Sequence, residues 1–472
     1  MPPNHKHLAA TGAMINEPGG AQSQMGVAHF VISLFDAWHE AQVPFVILRN
    51  YQNLPNDTGN DLDVLVTQHD AAKAQEVLLE IAAETGYRLH NRAERAASSP
   101  ISIYLHNTQS FRQIHVDLFT SLKWRDYPFI SAIEVLKHRV SRGQFAIPHP
   151  VHEAIISMLG RLLYHGYVKH RYKSQIATAI ATHRDMAQIS LEEAFGASLA
   201  NSIVDSAAQR DWTRIEAMAK SLRRSLIFRR IARTPIPTVL AAARNLVRLI
   251  DRMRHPTGLM VAVIGPDGSG KSAVAGAILR SVERTYGAKA SLHVHWKPEV
   301  LPRGRAVKGP VTDPHAQPVR SKLTSLIYFM YHLCDFVLGS NFILRRCIVK
   351  NGLVVVERYY YDYFVDTRRF RMNIAPGIIN IGYSVVMKPD LVVCLDAPAD
   401  VIHHRKNELS LAETSRQRES YRLLTSKLQY GYIIDATQPL QEVTRTATSI
   451  ILSHLSQRTK NRMLARNTEH GG

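Results

Sequence analysis

Met260–Leu279, MVAVIGPDGSGKSAVAGAIL, joins an apolar strand to an amphipathic helix through a glycine-rich turn. Gly265, Gly270, Lys271 and Ser272 satisfy G-x-x-x-x-G-K-[ST], and the strand and helix that this motif requires flank it. Val261, Val263 and Ile264 supply the strand, while Ala273, Val274, Ala277, Ile278 and Leu279 supply an apolar helical face. Glycines let successive backbone N–H groups turn inward around phosphate oxygens, and the helix N-terminus adds partial positive charge. The stretch therefore predicts a phosphate-binding loop with Gly265, Gly268 and Gly270 in its cradle. Lys271 would reach the β- and γ-phosphates, and the Ser272 hydroxyl would ligate Mg²⁺.

Downstream, apolar runs recur in the order expected of a doubly wound parallel sheet. LHVHW (292–296), NGLVVVERYYY (351–361), PDLVVCLDAP (389–398) and YIIDA (432–436) each read as a strand, and the second ends in charge, where catalytic groups of such sheets belong. Arg405, Lys406, Arg416 and Arg418 cluster about a helical stretch, placed to close over transferring phosphates. Arg368, Arg369 and Arg371 suit a phosphorylated or sugar-nucleotide substrate, or form a solvated basic turn. KPEVLPRGRAVKGPVTDPHAQP (297–318) is a long proline-rich loop over a substrate cleft.

These motifs together resemble the thymidylate kinase family over about residues 259–457: GPDGSGKS as the phosphate loop, Glu357-Arg358-Tyr359 in the place of D-R-[YF], PDLVVCLDAP before the lid, and an Arg-rich lid ahead of IIDATQPLQEV. The resemblance implies ATP and Mg²⁺ on Lys271 and Ser272, and Asp267 near an acceptor hydroxyl. It implies Glu357 and Arg358 orienting an acceptor phosphate, and Arg416 and Arg418 as lid arginines. Glu357 is one methylene longer than the family's aspartate, and no thymine pocket is legible. The acceptor expected is a nucleoside monophosphate, dTMP included, or a sugar phosphate.

Upstream, Val27–Ala41 has helical periodicity and Val43–Leu48 reads as a short strand. In LRNYQNLPNDTGNDLDVLV (48–66), Asp61 and Asp63 alternate with apolar Leu62, Val64 and Val66, so both carboxylates face one side of a strand. Like charges so placed repel unless a cation sits between them, which favours a divalent metal. Asp117, in the apolar run 114–119 (IHVDLF), joins them if the strands are neighbours. The D-x-D pattern with a later acidic residue resembles the polymerase-β-like nucleotidyltransferases. That superfamily's Gly-Ser pair is absent here, where Leu48-Arg49-Asn50-Tyr51 stands. The bland alternative is a polar strand end solvated at a loop.

Residues 148–218 are helical in pattern, and His152, His165 and His170 read as ordinary helix residues with no H-E-x-x-H spacing. Ten arginines follow between Arg214 and Arg254 against Glu216 and Asp251, and Pro235 and Pro237 divide this segment into two helices. A basic amphipathic segment fits an anionic membrane surface; a solvated linker is the alternative. Nucleic acid is not an expected partner. Longer two-module proteins of this kind resemble those of bacterial surface-polysaccharide biosynthesis.

With 472 residues the chain has room for several cores, and its net charge of +19 points to polyanionic partners. Cys334, Cys347 and Cys394 form no C-x-x-C pair and support neither a disulfide framework nor a zinc site. Leu323–Leu344 is long and apolar enough to raise a membrane-span question, but His332, Asp335 and Asn341 favour a buried helix. The expectation is a cytoplasmic protein, peripheral at the inner membrane surface.

The fold expected is α/β, with a C-terminal P-loop NTPase sheet flanked by helices, an N-terminal α+β nucleotidyltransferase-like domain and a helical middle. Boundaries are a disordered tail at 1–24, domains at 25–150, 151–257 and 258–457, and a basic tail at 458–472. Three functions are carried forward: an ATP-dependent phosphotransferase, a nucleotidyltransferase using Asp61, Asp63 and Asp117 with an ATP-sensing P-loop half, and a nucleotide-regulated scaffold at a membrane surface.

Overall fold

The computed structural model describes residues 20–94, 100–233, 235–286, 290–302, 315 and 317–470. The expected tail thus lies outside the described residues up to 19, and its last residues already belong to a helix. The proline-rich loop lies largely outside them too.

Helix α1 (Gly20–Glu40) buries Val27, Phe30, Val31, Leu34, Phe35 and Trp38, the i, i+3, i+4 face that its sequence prescribes. Together with α2 (Ala71–Glu84) it covers one face of a mixed sheet, and Trp38 Nε1 ties the two by donating to Ala74 O at 3.0 Å. The sheet comprises β1 (Phe45–Ile47), β2 (Leu62–Val66), β3 (Tyr87–Glu94), β4 (Ile101–Asn107) and β5 (Gln113–Phe119), in the order β1-β2-β5-β4-β3. Only β2 and β5 pair in parallel. Two hairpins follow, β6 (Leu122–Trp124) with β7 (Tyr127–Ile130), and, after α3 (Ala132–Lys137), β8 (Val140–Arg142) with β9 (Phe145–Ile147).

The middle region is helical: α4 (Pro150–His165), α5 (His170–Thr182), α6 (Arg184–Phe195), α7 (Ala197–Ala208), α8 (Trp212–Ala217), α9 (Ala219–Arg233) and α10 (Pro235–Arg254). It shares one core with the N-terminal sheet, because Val46, Leu48 and Leu65 pack among Ile155, Met158, Leu159 and Leu162. The boundary drawn at 150 therefore separates elements that bury their apolar faces against each other. The division at Pro235 is observed between α9 and α10.

The second sheet is wholly parallel, in the order β11-β12-β10-β13-β14, built from β10 (Leu259–Ile264), β11 (Ser291–Val294), β12 (Leu353–Glu357), β13 (Leu391–Asp396) and β14 (Gly431–Asp435). Every residue of β10 and β12 is buried, as continuous apolar runs require when helices cover both faces. One face packs on α11 (Lys271–Ser281), α12 (Glu283–Tyr286), α17 (Ala399–Arg405) and α19 (Leu440–His470). The other packs on α13 (Lys322–Gly339), α14 (Arg345–Val349), α15 (Asp362–Val365), α16 (Pro376–Val385) and α18 (Leu411–Ser426).

Two expectations need correction. The basic tail drawn from 458 onwards continues α19 to His470, where Arg458 donates to Thr257 O and Gly258 O and Thr459 donates to His90 O in β3. The helix expected to be buried, α13 continued through a π-helical turn (Ser340–Leu344) into α14, buries only one side. Phe329, Phe336, Leu344 and Ile348 face the sheet, while Leu323, Ile327, Met330 and Phe342 are exposed. It is long and apolar enough to cross a membrane by length and composition, and most of its apolar stretch is not buried.

The two sheets meet through polar contacts. His90 Nε2 lies 2.7 Å from Thr285 Oγ1, Thr285 donates to Gln113 Oε1 at 2.8 Å, and Gln113 Nε2 donates to Ser281 O at 2.6 Å. The end of the helix that begins at Lys271 is thus held by strands of the N-terminal sheet.

Candidate active site

Residues 265–270 turn the chain from the carboxyl end of β10 into α11. Gly265 lies so close to β13 that a Cβ would meet Leu395 O at 2.7 Å, and Gly270 starts the helix at φ +92°, a conformation that L side chains rarely adopt. Lys271 is buried, and its ammonium donates to Gly265 O at 2.9 Å, Pro266 O at 2.7 Å and Asp267 Oδ1 at 3.2 Å.

Asp267 also accepts from Arg358 and Arg369, so three cations converge on one carboxylate. Arg358 is shared with buried Asp362, 3.5 Å away, which accepts from the Tyr421 hydroxyl at 2.8 Å. Burial alone would raise the Asp267 carboxyl, but Lys271, Arg358 and Arg369 outweigh it and hold the group well below the usual carboxylate range. Burial pushes the Lys271 ammonium down and the Asp362 carboxyl up. Three cations against two carboxylates leave positive charge in excess, and two buried atoms here, Arg358 Nε and Ser269 Oγ, have no hydrogen-bond partner among the described residues. A site of that kind suits an anion rich in acceptor oxygens.

A backbone turn aims the Arg358 guanidinium at Asp267. Arg358 sits at φ +62°, ψ −61°, a strained turn conformation, and Tyr359 follows at φ +55°. Strain of this kind costs about 1–3 kcal/mol and persists only where the surroundings impose it. Those surroundings are aromatic: Tyr359, Tyr360, Tyr361 and Tyr363 are all buried, with Tyr359 donating to Met387 O and Tyr360 to Ile379 O, both at 2.8 Å. The tyrosine run is therefore the foundation of this turn.

Glu357, the last residue of β12, gathers a second cluster. Ser272 Oγ donates to its Oε2 at 2.6 Å, His293 Nε2 lies 2.7 Å from Oε1, and His295 Nδ1 lies 3.4 Å from Oε2. His293 in β11 and His295 one residue past its end alternate so that both imidazoles reach Glu357, beside which the parallel pairing of β11 with β12 sets them. Burial would raise the carboxyl, but the hydrogen bonds from His293, His295 and Ser272 prevail and hold it well below the usual range. Ser272 and an ionised Glu357 form a donor set of hard oxygens that fits Mg²⁺. The imidazoles fix the carboxylate behind them.

Of the two expected lid arginines, Arg416 pairs with Glu413, donates to Val365 O at 3.0 Å and lines a cavity of about 490 Å³ with His315, Arg368, Leu409 and Ser410. Arg418 is held elsewhere, donating to Asp396 at 2.7 and 3.0 Å, at the end of β13, where Arg422 joins it. Buried Asp366 accepts from Gln417 Nε2 at 2.9 Å, and Nε2 of His315, a cavity-lining residue, also lies 2.9 Å from it. Among the basic turn residues, Arg369 enters the site, Arg368 lines the cavity, and Arg371 donates outward to Pro318 O and Gln317.

In the N-terminal sheet, Asp63 of β2 stands opposite Asp117 of β5 in the parallel pairing. Asp61 precedes the strand. Arg49 donates to both oxygens of Asp63 and lies 3.6 Å from Asp61, so the cation on this pair is a guanidinium. Burial pushes Asp63 up to about 6 against the opposing pull of Arg49. Ser102 Oγ donates to Asp117 Oδ1 at 2.6 Å, and Asp61, His115 and Asp117 bring their ligand atoms within 4.8 Å of one another.

Sequence reading did not find Asp362, Asp366, His293, His295 or the role of Arg49. The H-x-H alternation in LHVHW was the signal for the imidazoles; the others depend on which loops meet.

No family model matches the chain. Thymidylate kinases of Lacticaseibacillus casei (strain BL23) and of Lacticaseibacillus paracasei are each 24% identical to it over 206 residues, covering 40% of this chain and 92% of theirs. A crystal structure of thymidylate kinase from Ehrlichia chaffeensis has 12% sequence identity and a TM-score of 0.30, covering 41% of this chain and 98% of that one. Over about 40% of its length this chain carries a thymidylate kinase-like P-loop module.

Proposed function

We propose that this chain is an ATP- and Mg²⁺-dependent phosphotransferase acting on a small phosphorylated acceptor, a nucleoside monophosphate or a sugar phosphate. The observation that carries this reading is the cationic ring about Asp267, set between the phosphate loop and the strained Arg358 turn. Lys271 and the backbone N–H groups of residues 267–272 would hold the β- and γ-phosphates, exchanging the ammonium's carbonyl partners for phosphate oxygens. Ser272 and Glu357 would hold Mg²⁺, which supplies charge neutralisation between those phosphates. Asp267 sets the positions of Arg358 and Arg369 for the acceptor's anionic group, and Arg416 approaches from the lid side. Catalysis in this arrangement is positioning and charge compensation.

The test is ADP formation by the purified full chain with ATP, Mg²⁺ and a panel that includes dTMP, other nucleoside monophosphates and sugar phosphates. Acceptor-stimulated ADP release that disappears in Lys271→Ala is expected. Intact ATP binding with no stimulation by any phosphorylated acceptor would sink the reading.

A second reading, nucleotidyl transfer in the N-terminal domain, draws support from the Asp63–Asp117 juxtaposition. Arg49 on Asp63 weighs toward a structural or repurposed pair. Pyrophosphate release abolished by Asp61→Asn and unaffected by Lys271→Ala would favour that second reading.

A further inference from the structure

Helix α10 faces the wrong way for a solvated linker. Leu246, Val247, Leu249, Ile250 and Met253 fall within one arc at 100° per residue, and each is 41% to 66% exposed. On the opposite arc, Arg248, itself exposed, lies 3.6 Å from Glu94, and partly buried Arg252 donates to Val349 O at 2.8 Å. Hydrophobic burial would normally orient an amphipathic helix the other way round. Here the polar contacts anchor the helix, and the apolar arc points outward.

The surface around this arc is cationic. Arg345 of α14 donates to Met253 O at 3.2 Å, which brings the exposed side chains of Phe342 and Arg346 within about one helical turn of that contact. Arg254 is exposed and falls within the arc, next to Val247 at its edge, and α9 contributes exposed Phe228 and Ile231 beside Arg224. The one carboxylate of α10, Asp251, is taken by His255 at 3.0 Å.

We propose that α10 lies in the plane of an anionic lipid bilayer, with Leu246, Ile250 and Met253 in the acyl boundary and Arg254 and Arg346 on headgroup phosphates. Charge complementarity selects this occupant. A two-fold contact with a second copy would set like-charged arginines against each other around the apolar seam, whereas a negative lipid surface takes both the arginines and the arc. The proposal is independent of the phosphotransfer reading, since its test uses neither nucleotide nor acceptor.

The experiment is flotation of the full chain with vesicles of phosphatidylcholine alone or with about one-third phosphatidylglycerol. Flotation with the anionic vesicles only is expected, weakening at high salt. The triple variant Leu246→Asn, Ile250→Asn, Met253→Asn changes exposed positions and is expected to lose at least about tenfold in partitioning, as is Arg254→Glu with Arg346→Glu. Far-UV circular dichroism and thermal melting check that the variants fold. Absence of flotation, equal flotation on neutral vesicles, or undiminished flotation of the triple variant would overturn the proposal. So would a dimer that the triple variant splits without any vesicle binding, which would assign the arc to a second copy.

Discussion

Ser272 Oγ donates to Glu357 Oε2 at 2.6 Å, joining the first turn of α11 to the last residue of β12. These residues are distant in the chain and neighbours at the carboxyl edge of the sheet, where β10 and β12 pair in parallel. Removing the charge while keeping the shape, Glu357→Gln, is expected to reduce Mg²⁺-dependent turnover about 10–100-fold, with Mg²⁺ titrations showing the same loss of affinity. ATP binding in the presence of a chelator should be unchanged.

Arg369 and Arg371 are close in sequence and differ in destination, Asp267 for the first and the exposed Gln317 for the second. Arg369→Ala is expected to cost about 10²-fold or more in kcat, since it removes a fixed cation from the site. Arg371→Ala should stay within about threefold. Steady-state kinetics on the accepted substrate separate the two, and equal losses would place the charge wrongly.

Gly265→Ala is expected to destabilise the phosphate loop, because the added Cβ would sit 2.7 Å from Leu395 O in a backbone conformation strained for alanine. A loss of about 2 kcal/mol or more in chemical unfolding of the P-loop module is the predicted reading. Wild-type stability in this variant would contradict the close approach.

Acid should loosen the joint between the sheets. Burial pushes His106 down to about 4 and His90, 3.3 Å away, well below its usual value. The unfolded chain therefore binds protons near pH 6.5 that the folded chain refuses, so stability falls as pH drops from about 6.5 toward 4. The His106 contribution amounts to about 2 kcal/mol between pH 7 and pH 4.5. Thermal melts across that window should show a shallower pH slope for His106→Asn than for wild type.

Thr285→Val keeps the shape of the side chain and removes the hydroxyl that serves both His90 and Gln113. Leaving buried partners unsatisfied costs about 1–3 kcal/mol. The loss should appear as faster hydrogen exchange in β3, β5 and α12, which that contact joins.

How much of this could be read from the chain depends on how local the signal is. Periodicity along α1, the continuous apolar runs of β10, β12 and β13, the break before Pro235, and the phosphate loop follow from neighbouring residues, because strand burial, helix faces and glycine turns are set within a few positions. The alternation that places Asp63 on a strand face is of the same kind. So is the ending of β12 at Glu357.

Tertiary structure decided the rest. Which cation meets which carboxylate was not written in any local pattern: Arg49 on Asp63, Arg369 on Asp267, and Arg418 on Asp396 instead of the cavity. Nor was the outward turn of the α10 apolar arc, since a helical repeat defines two faces without saying which one the protein covers. Strand periodicity and loop chemistry are short-range consequences of backbone geometry, whereas ion pairing and helix orientation depend on residues that only folding brings within a few ångströms of each other.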